Sequence, residues 1–164
     1  MFCQRCGGPT EERLNDGRQR PVCTVCDAVT YLDPKLAVAV VIERDGAILL
    51  GKRAAWTRSP GLWSFPAGFV ERAEVVEDAA IREVAEETAL VATLGPVLDV
   101  FSTQGDAVVL LVFPALSAIG EPVAGDDLTE IGWFSPNQLP ALAFPHDPQI
   151  VAAWERWRAA RAIS

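Results

Sequence analysis

No apolar run in this sequence approaches the roughly 20 residues that span a bilayer. The longest, residues 36–42 and 107–118, read better as buried strands, so no membrane partner is expected. No secretory pattern follows Met1, where Phe2 and Cys3 lead straight into a polar segment, so a cytoplasmic protein is expected. Basic residues are in deficit, 14 Lys and Arg against 22 Asp and Glu, for a formal net charge of -8. That balance argues against a general nucleic-acid surface, and a nucleic-acid partner is not expected. There is neither an internal repeat nor a long linker. With 164 residues, half of them hydrophobic, the chain has material for one sizeable core and a small accessory module.

Cysteine is absent after residue 26. Cys3 and Cys6 form one CxxC pair, and Cys23 and Cys26 a second, with 16 residues between the pairs. Each pair can place two thiolates on one tetrahedral ion, and Gly7 and Gly8 permit the turn beyond the first. The stretch from Pro9 to Val22 is polar and turn-rich and would not form a core alone; Zn²⁺ would supply its folding energy. Two disulfides are the alternative, and they fit poorly without a secretion signal. The spacing resembles a zinc ribbon over residues 1–34, with a four-sulfur site that is closed and so structural. Arg5, Arg13, Arg18 and Arg20 are too few, and too mixed with Glu11, Glu12 and Asp16, to make it a nucleic-acid surface.

Carboxylates crowd elsewhere, in residues 67–90, AGFVERAEVVEDAAIREVAEETAL. Residues 75–88 are rich in good helix formers and lack Gly and Pro, which predicts a helix. At about 100° per residue, Glu83, Glu86 and Glu87 share an arc roughly 100° wide. Ala80, Ile81 and Val84 make the core-facing stripe. Like charges at Glu83 and Glu87 repel across one turn by roughly 0.2–0.5 kcal/mol. A hard divalent cation would offset that repulsion, since clustered carboxylate oxygens suit Mg²⁺ or Mn²⁺. A solvated acidic helix face is the plain alternative.

Around that helix, strands are expected at residues 36–42 and 47–52, joined through an Asp45-Gly46 hairpin turn. Further strands are expected at residues 61–65, 95–102, 108–116 and 131–134. Residues 120–127 read as a flexible acidic loop, and residues 148–162 as an amphipathic helix bearing Trp154 and Trp157. Trp63 and Phe65 read as packing residues. Trp56, in a polar loop, is the base-stacking candidate, and Arg53 and Glu130 are the other candidates for substrate contact. His146, the sole histidine, is expected to cap the last helix or approach substrate.

The carboxylate stretch resembles the Nudix hydrolase signature. Gly68 is followed after five residues by Glu74, and after seven more by Arg82-Glu83-Val84-Ala85-Glu86-Glu87. Ala73 and Ala89 stand where the signature usually has glycine, and alanine is less permissive at positive φ. The resemblance covers residues 36–140. With the preceding cysteine unit it looks like a bacterial zinc-ribbon subgroup related to ADP-ribose and NADH pyrophosphatases. It implies an α/β fold, an α/β/α sandwich around a mixed sheet, over residues 35–164. It also implies hydrolysis of a diphosphate bond in a nucleoside diphosphate-linked small molecule, with ADP-ribose giving AMP and ribose 5-phosphate as the first choice. NADH, FAD, other dinucleotides and nucleotide sugars are alternatives, as is a slow nucleotide-binding or regulatory module. By motif position Glu83, Glu86 and Glu87, with Gly68 through its backbone, would carry the metal. Arg82 would organise the carboxylates, and Glu74 would support the loop–helix geometry. Glu83, Asp126, Asp127 and Glu130 are candidates for the general base. The family often forms dimers, so a homodimer is among the expected assemblies.

Overall fold

A computed structural model gives the structure of the protein, and residues 1–161 are described. The chain divides into two compact units, Met1–Pro34 and a second from Lys35 onward. In the first, β1 (Thr10–Asn15) and β2 (Arg18–Cys23) form an antiparallel hairpin. Its turn residues, Asp16 and Gly17, both have positive φ, 49° and 75°. That conformation matches the twist of the flanking strands. The hairpin falls where the sequence suggested only polar turns, and its Asp-Gly pair is the signal that marks it.

The second unit runs β3 (Lys35–Val41), β4 (Glu43–Arg44), β5 (Ala47–Arg53), β6 (Trp63–Ser64), β7 (Ala67–Phe69) and α1 (Val76–Thr88). It continues with β8 (Val91–Leu94), β9 (Asp99–Ser102), β10 (Val108–Ile119), β11 (Leu128–Phe134) and α2 (Asp147–Arg161). One sheet has the order β7-β3-β10-β8, with β9 also on β10. Its β3–β10 pair is parallel and its other pairs are antiparallel, so the sheet is mixed. A second, antiparallel sheet has the order β11-β5-β4, with β6 on β5.

The continuous apolar run at residues 36–42 is explained by burial on both faces. Val38, Val40 and Ile42 pack with Ala79, Ala80 and Val84 of α1. Ala39 and Val41 pack with Ile150, Val151 and Trp154 of α2. The two-residue period of a strand thus feeds two cores, and a helix covers each. This is the α/β/α arrangement. Among the described residues, no helix is long and apolar enough to cross a membrane.

Three expectations shift. The strand expected at residues 95–102 is interrupted: β8 ends at Leu94, and pairing resumes only at Asp99, beyond the Gly95-Pro96 break. Proline lacks the N–H a ladder needs, which accounts for the gap. The loop at residues 120–127 is tied to the end of α1, with Val123 N–H donating to Thr88 O and Gly125 N–H to Glu87 O. The last helix begins at Asp147, and the end expected for it at Ala162 lies outside the described residues.

Candidate active site

The acidic site is built where β7 turns into α1. Gly68 pairs with Val38 of β3, which fixes its backbone, and a methyl group placed on its Cα would overlap the Glu83 carboxyl. Only glycine lets the helix carboxylate lie directly over the strand. Ala67 N–H donates to Glu87 Oε2 at 3.0 Å, so the same strand holds a second glutamate. Ala73 and Ala89 flank the helix at φ 68° and 58°. Alanine therefore adopts the left-handed turns the motif asks of glycine, and Ala89 closes α1 with its N–H on Ala85 O at 3.0 Å.

Arg82 binds the cluster together. Its Nε and Nη2 donate to the two oxygens of Glu74 at 2.8 and 3.0 Å. Its Nη1 reaches Glu83 Oε1 at 2.7 Å and Glu86 Oε2 at 3.0 Å, and Nη2 also reaches Phe69 O at 3.1 Å. Bidentate, charge-assisted pairs of this kind fix orientation. Glu74, hydrogen-bonded by Arg82 and by Glu71 N–H, is pulled down to about 2. Glu83 and Glu87 are 9% and 3% exposed. Burial pushes both carboxyls up, Glu87 to about 8, against the pull of the Ala67 N–H; the neighbouring Glu83 charge adds to the rise. Burial outweighs the pull of Arg82 on Glu83 and of the Ala67 N–H on Glu87.

The other acidic candidates separate clearly. The charges of Asp126 and Asp127 act on Glu83 and Glu87 respectively. Glu130 is held by Lys52 at 2.8 Å and is half exposed. Trp56 is 74% exposed and does not line the cleft that adjoins the carboxylates, whereas Arg53 does.

That cleft has a volume of about 390 Å³. It touches Ala67 and Gly68, next to the carboxylates, and its walls include Phe101, Phe144 and His146. The Arg53 guanidinium lies over the Phe144 ring at 5.2 Å and donates through Nε to Arg58 O at 2.6 Å. His146 tilts against Phe101 at 5.3 Å, and its Nε2 meets Thr103 Oγ1 at 3.0 Å. It therefore lies on the cleft wall, while its backbone carbonyl accepts from Gln149 and Ile150 at the start of α2. Trp63 and Phe65 pack as expected: Phe65 is buried, and Trp63 meets Phe134 edge to face at 4.7 Å. Sequence reasoning missed Ser64, Phe101, Phe144 and Asp147, all of which line the cleft. Asp147 is 3% exposed, and burial pushes it up to about 6 although Phe144 N–H donates to it.

In the first unit, Cys3, Cys6, Cys23 and Cys26 are all free thiols whose sulfurs lie within 4.8 Å of one another. Cys3 and Cys26 are 3.8 Å apart, and Cys6 and Cys23 3.4 Å. A tetrahedral ion at the usual Zn–S distance of about 2.3 Å would separate sulfurs by about 3.8 Å. The backbone N–H groups of Arg5, Gly8 and Val25 each point at a cysteine sulfur at 3.4 Å. Such donors stabilise thiolate, and the backbone N–H groups around Cys23 lower it to about 6. The cluster fits structural zinc.

Comparison with known proteins bears on the whole chain. The NUDIX domain family matches residues 33–154, and the family described as Nudix N-terminal matches residues 1–32. The ADP-ribose pyrophosphatase of Methanocaldococcus jannaschii is 40% identical over 134 residues, covering 78% of this chain and 77% of the relative. The CTP pyrophosphohydrolase of Escherichia coli is 34% identical over 127 residues, covering 76% of this chain and 92% of the relative. A solved NUDIX hydrolase from Nitrosomonas europaea is similar with a TM-score of 0.84 at 30% identity, covering 96% of this chain and 92% of that one. The ordered glutamates beneath Gly68 thus sit in a fold and a sequence of known kind, and the chain belongs to the Nudix family of enzymes, which hydrolyse nucleoside diphosphate-linked molecules.

Proposed function

We propose that this chain hydrolyses ADP-ribose to AMP and ribose 5-phosphate in a reaction dependent on Mg²⁺ or Mn²⁺. The observation that carries this reading is the strand at Ala67 and Gly68, which packs on buried Glu83 and Glu87 and also lines a cleft of about 390 Å³. That volume falls within the roughly 300–1,000 Å³ usual for small-molecule sites. The 40% identity to a relative named ADP-ribose pyrophosphatase supports the substrate.

The residues fit a hard divalent cation. The donors are all oxygens, and the raised Glu87 carboxyl marks a buried acidic site in which burial outweighs the Ala67 N–H and the Arg53 charge. Glu83, Glu86 and Glu87, with the Gly68 carbonyl, would hold the metal. Bound there, it would screen the diphosphate charge and lower the pKa of the attacking water. The chain's own part is positional. Arg82 aligns Glu83 and Glu86 through one nitrogen and anchors itself on Glu74 through two others. Gly68 leaves room for the Glu83 carboxyl, and the Ala67 N–H fixes that of Glu87. Water attacks one phosphorus in line, the bridging P–O bond breaks, and the second phosphate leaves. A carboxylate of the cluster takes the proton; Asp126 and Asp127 are the better placed loop acids, because Glu130 is engaged by Lys52.

In the same reading residues 1–34 are a zinc ribbon, residues 35–164 form the hydrolase domain, and the enzyme works in the cytoplasm as a homodimer. The test is to incubate purified protein with ADP-ribose, NADH, NAD⁺, FAD and nucleotide sugars, with and without Mg²⁺, and to identify the products. Metal-dependent release of ribose 5-phosphate with AMP is expected. Turnover of another compound in preference to ADP-ribose would contradict the substrate, and turnover of none would contradict the enzyme.

A further inference from the structure

One polar group on the cleft wall has no part in the chemistry above. Ser64 lines the cleft, is 2% exposed, and its Oγ has no hydrogen-bond partner among the described residues. A buried hydroxyl without a partner is costly in a folded protein. β6 runs beside residues 141–143: Trp63 N–H donates to Ala141 O at 3.0 Å, and Ala143 N–H donates to Trp63 O at 2.8 Å. Trp63 is level with Leu142 in a parallel bridge, so Ser64 comes level with the chain just before Phe144. Phe144 N–H in turn donates to Asp147 Oδ2 at 2.9 Å. The fold therefore brings a partnerless hydroxyl and a buried carboxylate to one end of a cleft walled by Phe101 and Phe144. His146 is already occupied, with Nε2 on Thr103 Oγ1.

We propose that Asp147 and Ser64 form a base-reading subsite that selects a nucleobase bearing an exocyclic amino group, taking adenine over hypoxanthine. The inference rests on reading the cleft as the nucleotide site. An ionised aspartate only accepts hydrogen bonds, so it pairs with the 6-amino group of adenine and opposes the 6-oxo group of hypoxanthine. A serine hydroxyl both donates and accepts, so Ser64 serves the ring nitrogen of either base. The two residues thus have different signatures. Asp147 sets the preference, and Ser64 adds affinity without preference. Phe101 and Phe144 supply apolar ring faces on which a planar base packs.

A purely structural role for Asp147, holding the Phe144 N–H at the start of α2, makes a different prediction. Asparagine keeps an acceptor for that N–H, so a structural Asp147 would leave base preference unchanged in Asp147→Asn. The test is calorimetric titration of the full chain with AMP and with IMP, which reads base recognition independently of hydrolysis. Wild type is expected to bind AMP roughly 10-fold or more tighter than IMP. Asp147→Asn is expected to move that ratio to one or below, because its amide can donate to a 6-oxo group. Ser64→Ala is expected to weaken both ligands severalfold without lowering Tm, since it removes a partnerless hydroxyl. If Asp147→Asn does not fold, Ser64→Ala and the wild-type ratio still decide the matter. Equal wild-type affinities, no measurable AMP binding, or a Ser64→Ala protein that binds AMP as wild type does would each overturn the proposal. ADP-ribose turnover, followed in parallel, reports separately on the proposed hydrolysis.

Discussion

Replacing Ala89 with glycine should make this protein more stable, against the usual effect of glycine near a helix. Ala89 closes α1 at φ 58° and ψ 14°, and its side chain is exposed, so removing the methyl group gives up little packing. Holding an L-residue in that left-handed region costs about 1–2 kcal/mol, whereas glycine enters it without the steric penalty. Glycine also widens the unfolded ensemble, which offsets about 0.4–1 kcal/mol. The net expectation is a gain of about 0.5–1 kcal/mol, or roughly 1–4 °C in Tm for a chain of this size. Ala73, at φ 68° and exposed, should behave alike. The 13-residue helix between them separates the two sites by about 20 Å, so their effects should add. Ala85→Gly is the control: it lies exposed within α1 and should lose about 1 kcal/mol. Urea unfolding with an unchanged m-value is the assay. An Ala89→Gly protein no more stable than wild type, alongside a destabilised Ala85→Gly, would refute the strain argument.

Gly68→Ala is expected to act mainly on activity, because the added methyl group meets the movable end of Glu83 rather than backbone. A fall in kcat/KM of roughly 100-fold, with a small change in Tm, checks it. Metal-free protein should lose stability as pH rises from about 4.5 to 8, because unfolded Glu87 ionises there while folded Glu87 keeps its proton. That contribution, on the order of 3–5 kcal/mol at most, should vanish in Glu87→Gln and be offset by added Mg²⁺ in thermal melts across pH. Asp147 has the same sign, whereas Glu74 adds stability that is lost only as pH falls from about 4.5 toward 2. Elemental analysis of protein prepared without chelator should find one zinc per chain, and Cys23→Ser should lose it.

Much of the acidic site was legible because it is local. Gly68, Glu74, Arg82, Glu83, Glu86 and Glu87 lie within one turn and one helix, where spacing in sequence is nearly spacing in space. The two-sided burial of β3 was likewise written in an unbroken apolar run. The cleft was not legible. Ser64, Phe101 and the Phe144–Asp147 turn come from three separate segments, and tertiary pairing alone assembles them. Asp147 in particular reads as an ordinary helix-start residue beside Pro148, and only its burial sets it apart. Trp56 is the reverse case: an aromatic residue in a polar loop draws notice in the sequence, and in the structure it is exposed and does not line the cleft.

The most direct test of the account is Glu87→Gln assayed with ADP-ribose and Mg²⁺. Glutamine is nearly isosteric and can still accept the Ala67 N–H through its carbonyl, so the fold should persist and the charge alone is removed. Metal-dependent release of AMP and ribose 5-phosphate should fall by roughly 10³-fold, with Tm in metal-free buffer at pH 8 equal to or above that of wild type. A folded Glu87→Gln protein that hydrolyses ADP-ribose at the wild-type rate would contradict the claim that the buried helix carboxylates carry the reaction.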